Sequence, residues 1–248
     1  MSQTIGRLIG SGSVADVHEY GTRAIKLYRP GIGSEPAFRE AATLAALADK
    51  GLPVPRVYAA AEFEGRWGLV MDRAPGLPLG RLIAEQPQHA TQALVEMVTL
   101  QLRFHASPAA GLPSLKWRLA ERIGQAPGLP APRRDGLLAR LEQMQDADRL
   151  CHGDFHPFNI IGPLGDSMVI DWLDATAGQP SADACRSYLL LRMAAPEFAE
   201  RYLTLYAARA GLSRDGILGW VPILAAARLT EGIGMAEQAE LLRLAMAD

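Results

Sequence analysis

The side chains most able to do chemistry are gathered in His152-Gly153-Asp154-Phe155-His156-Pro157-Phe158-Asn159 and, after a Gly-containing turn, in Met168-Val169-Ile170-Asp171-Trp172. Asp154 precedes Asn159 by five residues, and Asp171 comes twelve later. A carboxylate can orient a hydroxyl group and accept its proton. Magnesium takes oxygen ligands, often only one or two from the protein, with water and substrate phosphates supplying the rest. One acid for a proton and an amide–carboxylate pair for an ion therefore suit phosphoryl transfer from a nucleoside triphosphate to an alcohol. Asp154 is the expected catalytic base, and Asn159 and Asp171 are the expected magnesium ligands.

His152 and His156 stand at i, i+4, the spacing of a zinc pair on a helix, but Gly153 and Pro157 oppose a helix there. Structural roles fit better: His152 supports the loop backbone and His156 orders the turn near the acceptor. His105, on an apolar helix face, reads as a satisfied core histidine. Asp183 reads either as a plain helix N-cap or as a hold on the backbone of the loop that carries Asp154.

A second group lies nearer the N-terminus. Lys26, one of three lysines among 25 basic residues, sits in the apolar run Ala24-Ile25-Lys26-Leu27, and Glu40 follows fourteen residues later. A lysine on the buried side of a strand can bridge phosphate oxygens when a carboxylate fixes its direction. Glu40, with Leu44 and Leu47 at +4 and +7, is the expected partner, and Glu35 is the competitor. Gly10-Ser11-Gly12-Ser13 lies between two strand candidates, where bare backbone either cradles phosphates or simply turns a hairpin. Gly10 and Gly12 are its candidate phosphate contacts; Ala15 stands where a third glycine would complete a kinase-type loop.

The elements that must position these groups change character along the chain. Strands are expected at 4–9, 14–20, 22–28, 56–63 and 66–71, with a helix opening at Ser34-Glu35-Pro36 and running to Ala48 before Gly51-Leu52-Pro53. Beyond Ala74-Pro75-Gly76 the spacing turns helical, at 88–107, 114–125 and 133–145, then at 181–194, 196–210, 215–229 and 232–247. The expected fold class is α+β. Residues 1–74 form a small antiparallel-sheet lobe with one helix, and residues 75–248 a larger, mainly helical lobe with the catalytic loop and acceptor site.

Composition narrows the function further. With 248 residues, 49% of them hydrophobic, the chain can bury an ample core. A net charge of -2 gives no basic surface, so no nucleic-acid partner is expected. The first seven residues show no apolar leader, and no run approaches the roughly 18 apolar residues of a membrane span, so a cytoplasmic protein without a membrane partner is expected. Cys151 and Cys185 offer neither a disulfide framework nor metal-ligand spacing.

These motifs resemble those of the aminoglycoside phosphotransferase and choline kinase group, which has the protein-kinase-like bilobal fold. The resemblance runs through G-S-G-S-V at 10–14, A-I-K at 24–26, R-E-A-A-T-L at 39–44, L-V-M-D-R-A-P-G at 69–76, F-H at 104–105, H-G-D-F-H-P-F-N at 152–159, I-D-W at 170–172 and D-A-C-R at 183–186. Protein kinases proper instead show H-R-D and D-F-G. The resemblance implies ATP and magnesium as cofactors, Asp154 as the catalytic acid/base, Asn159 and Asp171 on the ion, and Lys26 on the phosphates with Glu40 as its partner. It also implies adenine bonded to the backbone around Asp72 and Ala74, with Met71 behind it, and leaves Ser13 as a phosphate contact of the glycine-poor loop. The expected partner is a small-molecule hydroxyl acceptor (an aminoglycoside, amino alcohol or sugar) taken by a monomer or homodimer. The alternative is a non-catalytic nucleotide-binding scaffold; retention of Lys26, Asp154, Asn159 and Asp171 favours the enzyme.

Overall fold

The structure, a computed structural model, describes residues 4–247. The chain divides into two compact units: one runs up to Ala93 and is joined by Pro157–Leu173, the other is Leu94–His156 joined by the chain from Asp174 on.

In the first unit, β1 (Leu8–Ser11), β2 (Ala15–Tyr20), β3 (Arg23–Tyr28), α1 (Glu35–Asp49), β4 (Val57–Phe63) and β5 (Arg66–Asp72) follow one another. The strands make one antiparallel sheet in the order β1-β2-β3-β5-β4. Inner strand β3 is buried from Ala24 to Tyr28, which explains its nearly unbroken apolar run. The first strand starts later than alternation suggests, so Gly10 and Ser11 are ladder residues opposite Val17 and Asp16. Few side chains at that edge are buried, and without a buried face the hydrophobic pattern does not set register. Pro36 opens α1, where its missing N–H costs nothing. Gly51, at φ 67°, closes it, with its N–H on Ala48 O and the Leu52 N–H on Leu47 O.

The same unit holds α2 (Leu79–Glu85), a helix too short for its periodicity to show in the sequence. Against it lies the 3-10 turn Pro157–Asn159, so closely that a Cβ on Gly80 would meet the Phe158 ring at 2.7 Å. Two-residue strands Ile160–Ile161 and Met168–Val169 pair antiparallel just beyond the turn.

The second unit is helical: α3 (Ala90–His105, whose first turn belongs to the other unit), α4 (Leu115–Gly124), α5 (Ala131–Gln143), α6 (Pro180–Ala194), α7 (Pro196–Ala210), α8 (Arg214–Leu218), α9 (Val221–Arg228) and α10 (Met235–Met246). Arg149–Cys151 pairs with Thr176–Gly178 to form a small ladder. Helix α6 is buried almost all round from Ala182 to Leu189, as befits a central helix. The single helix expected at 215–229 is two, α8 and α9. Pro222 lacks an N–H and cannot continue a helix from α8, but it fits the first turn of α9. Among the described residues, no helix is long and apolar enough to cross a membrane.

Candidate active site

In the first unit, Lys26 and Tyr28 are two apart on β3 and share one face of the sheet. Lys26 Nζ lies 2.9 Å from Glu40 Oε1 and 2.8 Å from Asp171 Oδ1. Tyr28 donates its hydroxyl hydrogen to the second Glu40 oxygen at 2.5 Å. Glu35 instead pairs with Arg39, four residues on, at 2.5 Å. Lys26 is 6% exposed. Burial pulls its pKa down, but the Glu40 and Asp171 carboxylates outweigh burial and raise it, so the ammonium stays charged. Burial, then the Glu40 charge, pushes the Tyr28 phenol well up, so it is a fixed neutral donor.

Asp171 follows directly on the short strand pair and has φ 64°, the left-handed region that costs a non-glycine residue roughly 1–2 kcal/mol. Bonds on either side hold it there: Ile170 N–H on Asn159 O at 2.9 Å and Trp172 Nε1–H on Val169 O at 2.9 Å. Asn159 and Asp171 thus emerge at the same end of one small hairpin. An amide oxygen and a carboxylate oxygen are the hard donors magnesium takes. Among the described residues no three His, Cys, Asp or Glu side chains cluster as a metal cage, so an ion here would draw its other ligands from phosphate and water.

The other first-unit candidates have definite places. Gly10 lies in β1, the Gly12 N–H bonds Ala15 O at 2.9 Å, and Ser13 O accepts from Arg29 Nε at 2.9 Å. Met71 is buried in β5 opposite Ala24. The Asp72 N–H is taken by Arg56 O, and its carboxylate accepts from Tyr58 OH at 2.7 Å and Arg56 N at 3.1 Å. Ala74 lies just past the end of β5.

In the second unit, Asp154 sits on the loop after Arg149–Cys151, with His156 Nε2 at 3.4 Å and Arg186 Nη2 at 3.4 Å from its carboxylate. Burial would raise its pKa, but His156 first, then Arg186 and His152, hold the carboxyl well below the usual carboxylate range. One turn of α6 grips the preceding residue by both backbone groups. Asp183 Oδ1 accepts the Gly153 N–H at 2.7 Å, and Arg186 Nε donates to Gly153 O at 3.0 Å. The i, i+3 spacing puts both side chains on one face of α6. Gly153 has φ 83°, and a Cβ there would meet Asp174 O at 2.5 Å, so only glycine fits.

Asp183 is therefore not the N-cap of α6, a position held by Gln179; it holds the loop. It also bonds His105 Nε2 at 2.9 Å and Gln101 Nε2 at 3.2 Å. Burial would raise its pKa, but His105 first, then the Gly153 N–H and His152, outweigh it and hold the carboxyl down to about 2. His105 in turn bonds the Tyr206 hydroxyl at 2.7 Å, which makes it a fully engaged core histidine.

Sequence reasoning passed over Arg186 except as the last letter of D-A-C-R, although its spacing from Asp183 carried the signal. It also passed over Tyr28, two residues from Lys26.

The first unit thus holds a buried lysine bracketed by two carboxylates on a five-stranded antiparallel sheet, and the second an acid on a clamped loop, groups that suit a phosphotransferase of kinase-like fold. The model of the phosphotransferase enzyme family matches residues 11–216, and the chain belongs to that family. Solved structures agree on the fold. Aminoglycoside phosphotransferase APH(4)-Ia, solved with AMP-PNP and hygromycin B, is 16% identical with a TM-score of 0.71, covering 100% of this chain and 96% of that one. The choline kinase LicA from Streptococcus pneumoniae is 17% identical with a TM-score of 0.68, covering 98% and 92%. Aminoglycoside phosphotransferase APH(3'')-Id from Streptomyces rimosus, solved with ADP and streptomycin, is 21% identical with a TM-score of 0.62, covering 88% and 91%. No curated protein matches in sequence.

Proposed function

We propose that this protein is an ATP-dependent kinase that moves the γ-phosphoryl group to a hydroxyl of a small molecule in the cytoplasm, acting as a monomer or homodimer. Residues 1–74 serve as the nucleotide-binding lobe and 75–248 as the lobe for catalysis and acceptor binding. Lys26, aimed by Glu40, holds phosphate oxygens, and the turn at Gly10, Gly12 and Ser13 lies against them, with the Gly12 N–H itself committed to Ala15 O. The backbone about Asp72 and Ala74 receives adenine, with Met71 behind it. Asn159 and Asp171 hold magnesium, which when bound neutralises charge on the phosphates. The acceptor oxygen forms its bond to the γ-phosphorus as the bond to the β–γ bridging oxygen breaks. Asp154 orients the hydroxyl and takes its proton, and ADP leaves.

The observation that carries this reading is the bracketed Lys26. A lysine 6% exposed between Glu40 and Asp171 is costly to build and has no packing purpose that a leucine would not serve better. With Asp154 held ionised, the chain has a base ready at neutral pH. The test is ADP release with ATP, magnesium and an acceptor panel, and detection of phosphate on the product. Asp154→Asn is expected to lower kcat by about 10²–10⁴-fold. Turnover at the wild-type rate in that variant would remove the base from the mechanism.

A further inference from the structure

A cavity of about 30 Å³ lies within the second unit, and Gly153, the residue before the proposed base, lines it. It has room for roughly two waters, or for one polar head group with the rest of a ligand outside. Arg118 and Arg122 of α4, Arg186 of α6 and Arg228 of α9 all line it.

The lining acids are already spoken for. Glu231 receives three guanidinium groups, from Arg186 at 2.8 Å, Arg228 at 3.2 Å and Arg122 at 3.5 Å. Asp174 receives two, from Arg122 at 3.0 Å and Arg118 at 3.4 Å. Asp183 is committed to Gly153, His105 and Gln101. Arg228 also reaches Glu237 at 2.5 Å and Arg186 reaches Asp154 at 3.4 Å, yet Arg228 is 4% exposed and its Nη1 is buried without a hydrogen-bond partner, so a guanidinium N–H is left over for an anion. An ammonium group would have to displace an arginine to reach either acid, whereas an anion finds donors on several sides.

The features that would suit a cationic acceptor are absent from this lining. None of its residues is aromatic, so it offers no cage for a quaternary ammonium. Trp172, Tyr188, Tyr202, Tyr206 and Trp220, the aromatic residues the sequence could offer for one, are buried as core.

We infer that this arginine-lined cavity is the head-group pocket of the acceptor, and that it takes a carboxylate: the acceptor is a hydroxy acid. This rests on the kinase reading above and narrows it. Arg122 and Arg118, the more exposed of the lining arginines at 29% and 14% side-chain exposure, are the residues expected to select it.

The experiment compares matched pairs that differ by the carboxylate, namely glycerate with glycerol, gluconate with glucitol, and serine with ethanolamine. Each is measured both by calorimetric binding and by ADP release, with wild type, Arg122→Gln and Arg118→Gln. Melting temperature and circular dichroism confirm that the variants fold. The inference expects at least one acid to bind and be phosphorylated better than its partner by roughly tenfold, and either variant to erase that preference. Phosphorylation of the neutral or amine partners in preference to the acids overturns the inference and leaves the kinase reading standing. Arginine-dependent binding of an acid that no assay finds phosphorylated supports the pocket and sinks the kinase reading. Absence of any acid preference in both readouts overturns the pocket outright.

Discussion

Asp183 offers the sharpest test of how the loop bearing Asp154 is held. Its folded-state pKa of about 2, against an ordinary 3.8, corresponds at about 1.36 kcal/mol per pH unit to ~2 kcal/mol of stability from the ionised form. The folded value lies below the unfolded one, so the unfolded chain binds more protons between the two. The contribution is therefore complete above the unfolded value, about half gone near pH ~3, and lost as pH falls through the folded value. Asp183→Asn keeps the shape and removes the charge from His105 and the Gly153 N–H. Urea unfolding followed by tryptophan fluorescence should show wild type more stable than this variant by ~2 kcal/mol at neutral pH and by ~1 kcal/mol near pH 3. Asp183→Ala should lose a further 1–3 kcal/mol or so, because the Gly153 N–H is left buried and unbonded. A gap between wild type and the asparagine variant that did not change with pH would refute the argument, since it would place the effect in packing and not in charge.

Three other outcomes are expected. Because His156 and Arg186 hold Asp154 below the usual carboxylate range, a kcat/KM profile from pH 5 to 8 should show no inflection from it; Arg186→Met should bring an acid-side fall in rate into the measurable range. Glu40→Ala removes one of the two carboxylates on a buried ammonium and should cost about 3 kcal/mol in thermal or urea unfolding, while Glu35→Ala should change stability by under about 0.5 kcal/mol. Gly153→Ala forces a Cβ to within 2.5 Å of Asp174 O at φ 83° and should lower both stability, by about 2 kcal/mol, and turnover.

Much of the fold was legible in local pattern. The β2–β3 and β4–β5 hairpins follow from apolar strands around Gly21 and Glu64-Gly65, and α1 from Pro36 and Gly51 at its ends. Elements that lack a local signature stayed hidden. Helix α2 has seven residues and an internal glycine that exists for the sake of Phe158, distant in sequence. The strand Thr176–Gly178 is stabilised by pairing with Arg149–Cys151 and so has no periodicity of its own. The α8–α9 break was readable, since Pro222 stood in plain view inside a stretch that otherwise reads as helix.

For the site, residue type and spacing by themselves singled out Asp154, Asn159, Asp171 and Lys26, because an acid, an amide and a lysine in such motifs have few other uses. They favoured Glu40 over Glu35 as the partner of Lys26, through Leu44 and Leu47 at +4 and +7, and α1 does turn Glu40 inward and leave Glu35 to Arg39; they could not show the Tyr28 hydroxyl on the same glutamate. Nor could they give Asp171 its left-handed backbone, which bonds from both neighbours impose. The arginines of the cavity come from three helices far apart in the chain, and only packing brings them together. Sequence determined which chemistry the chain can carry, because that depends on functional groups and their order; tertiary structure decided which groups pair, which stay charged and which line a cavity, because those depend on distance and burial.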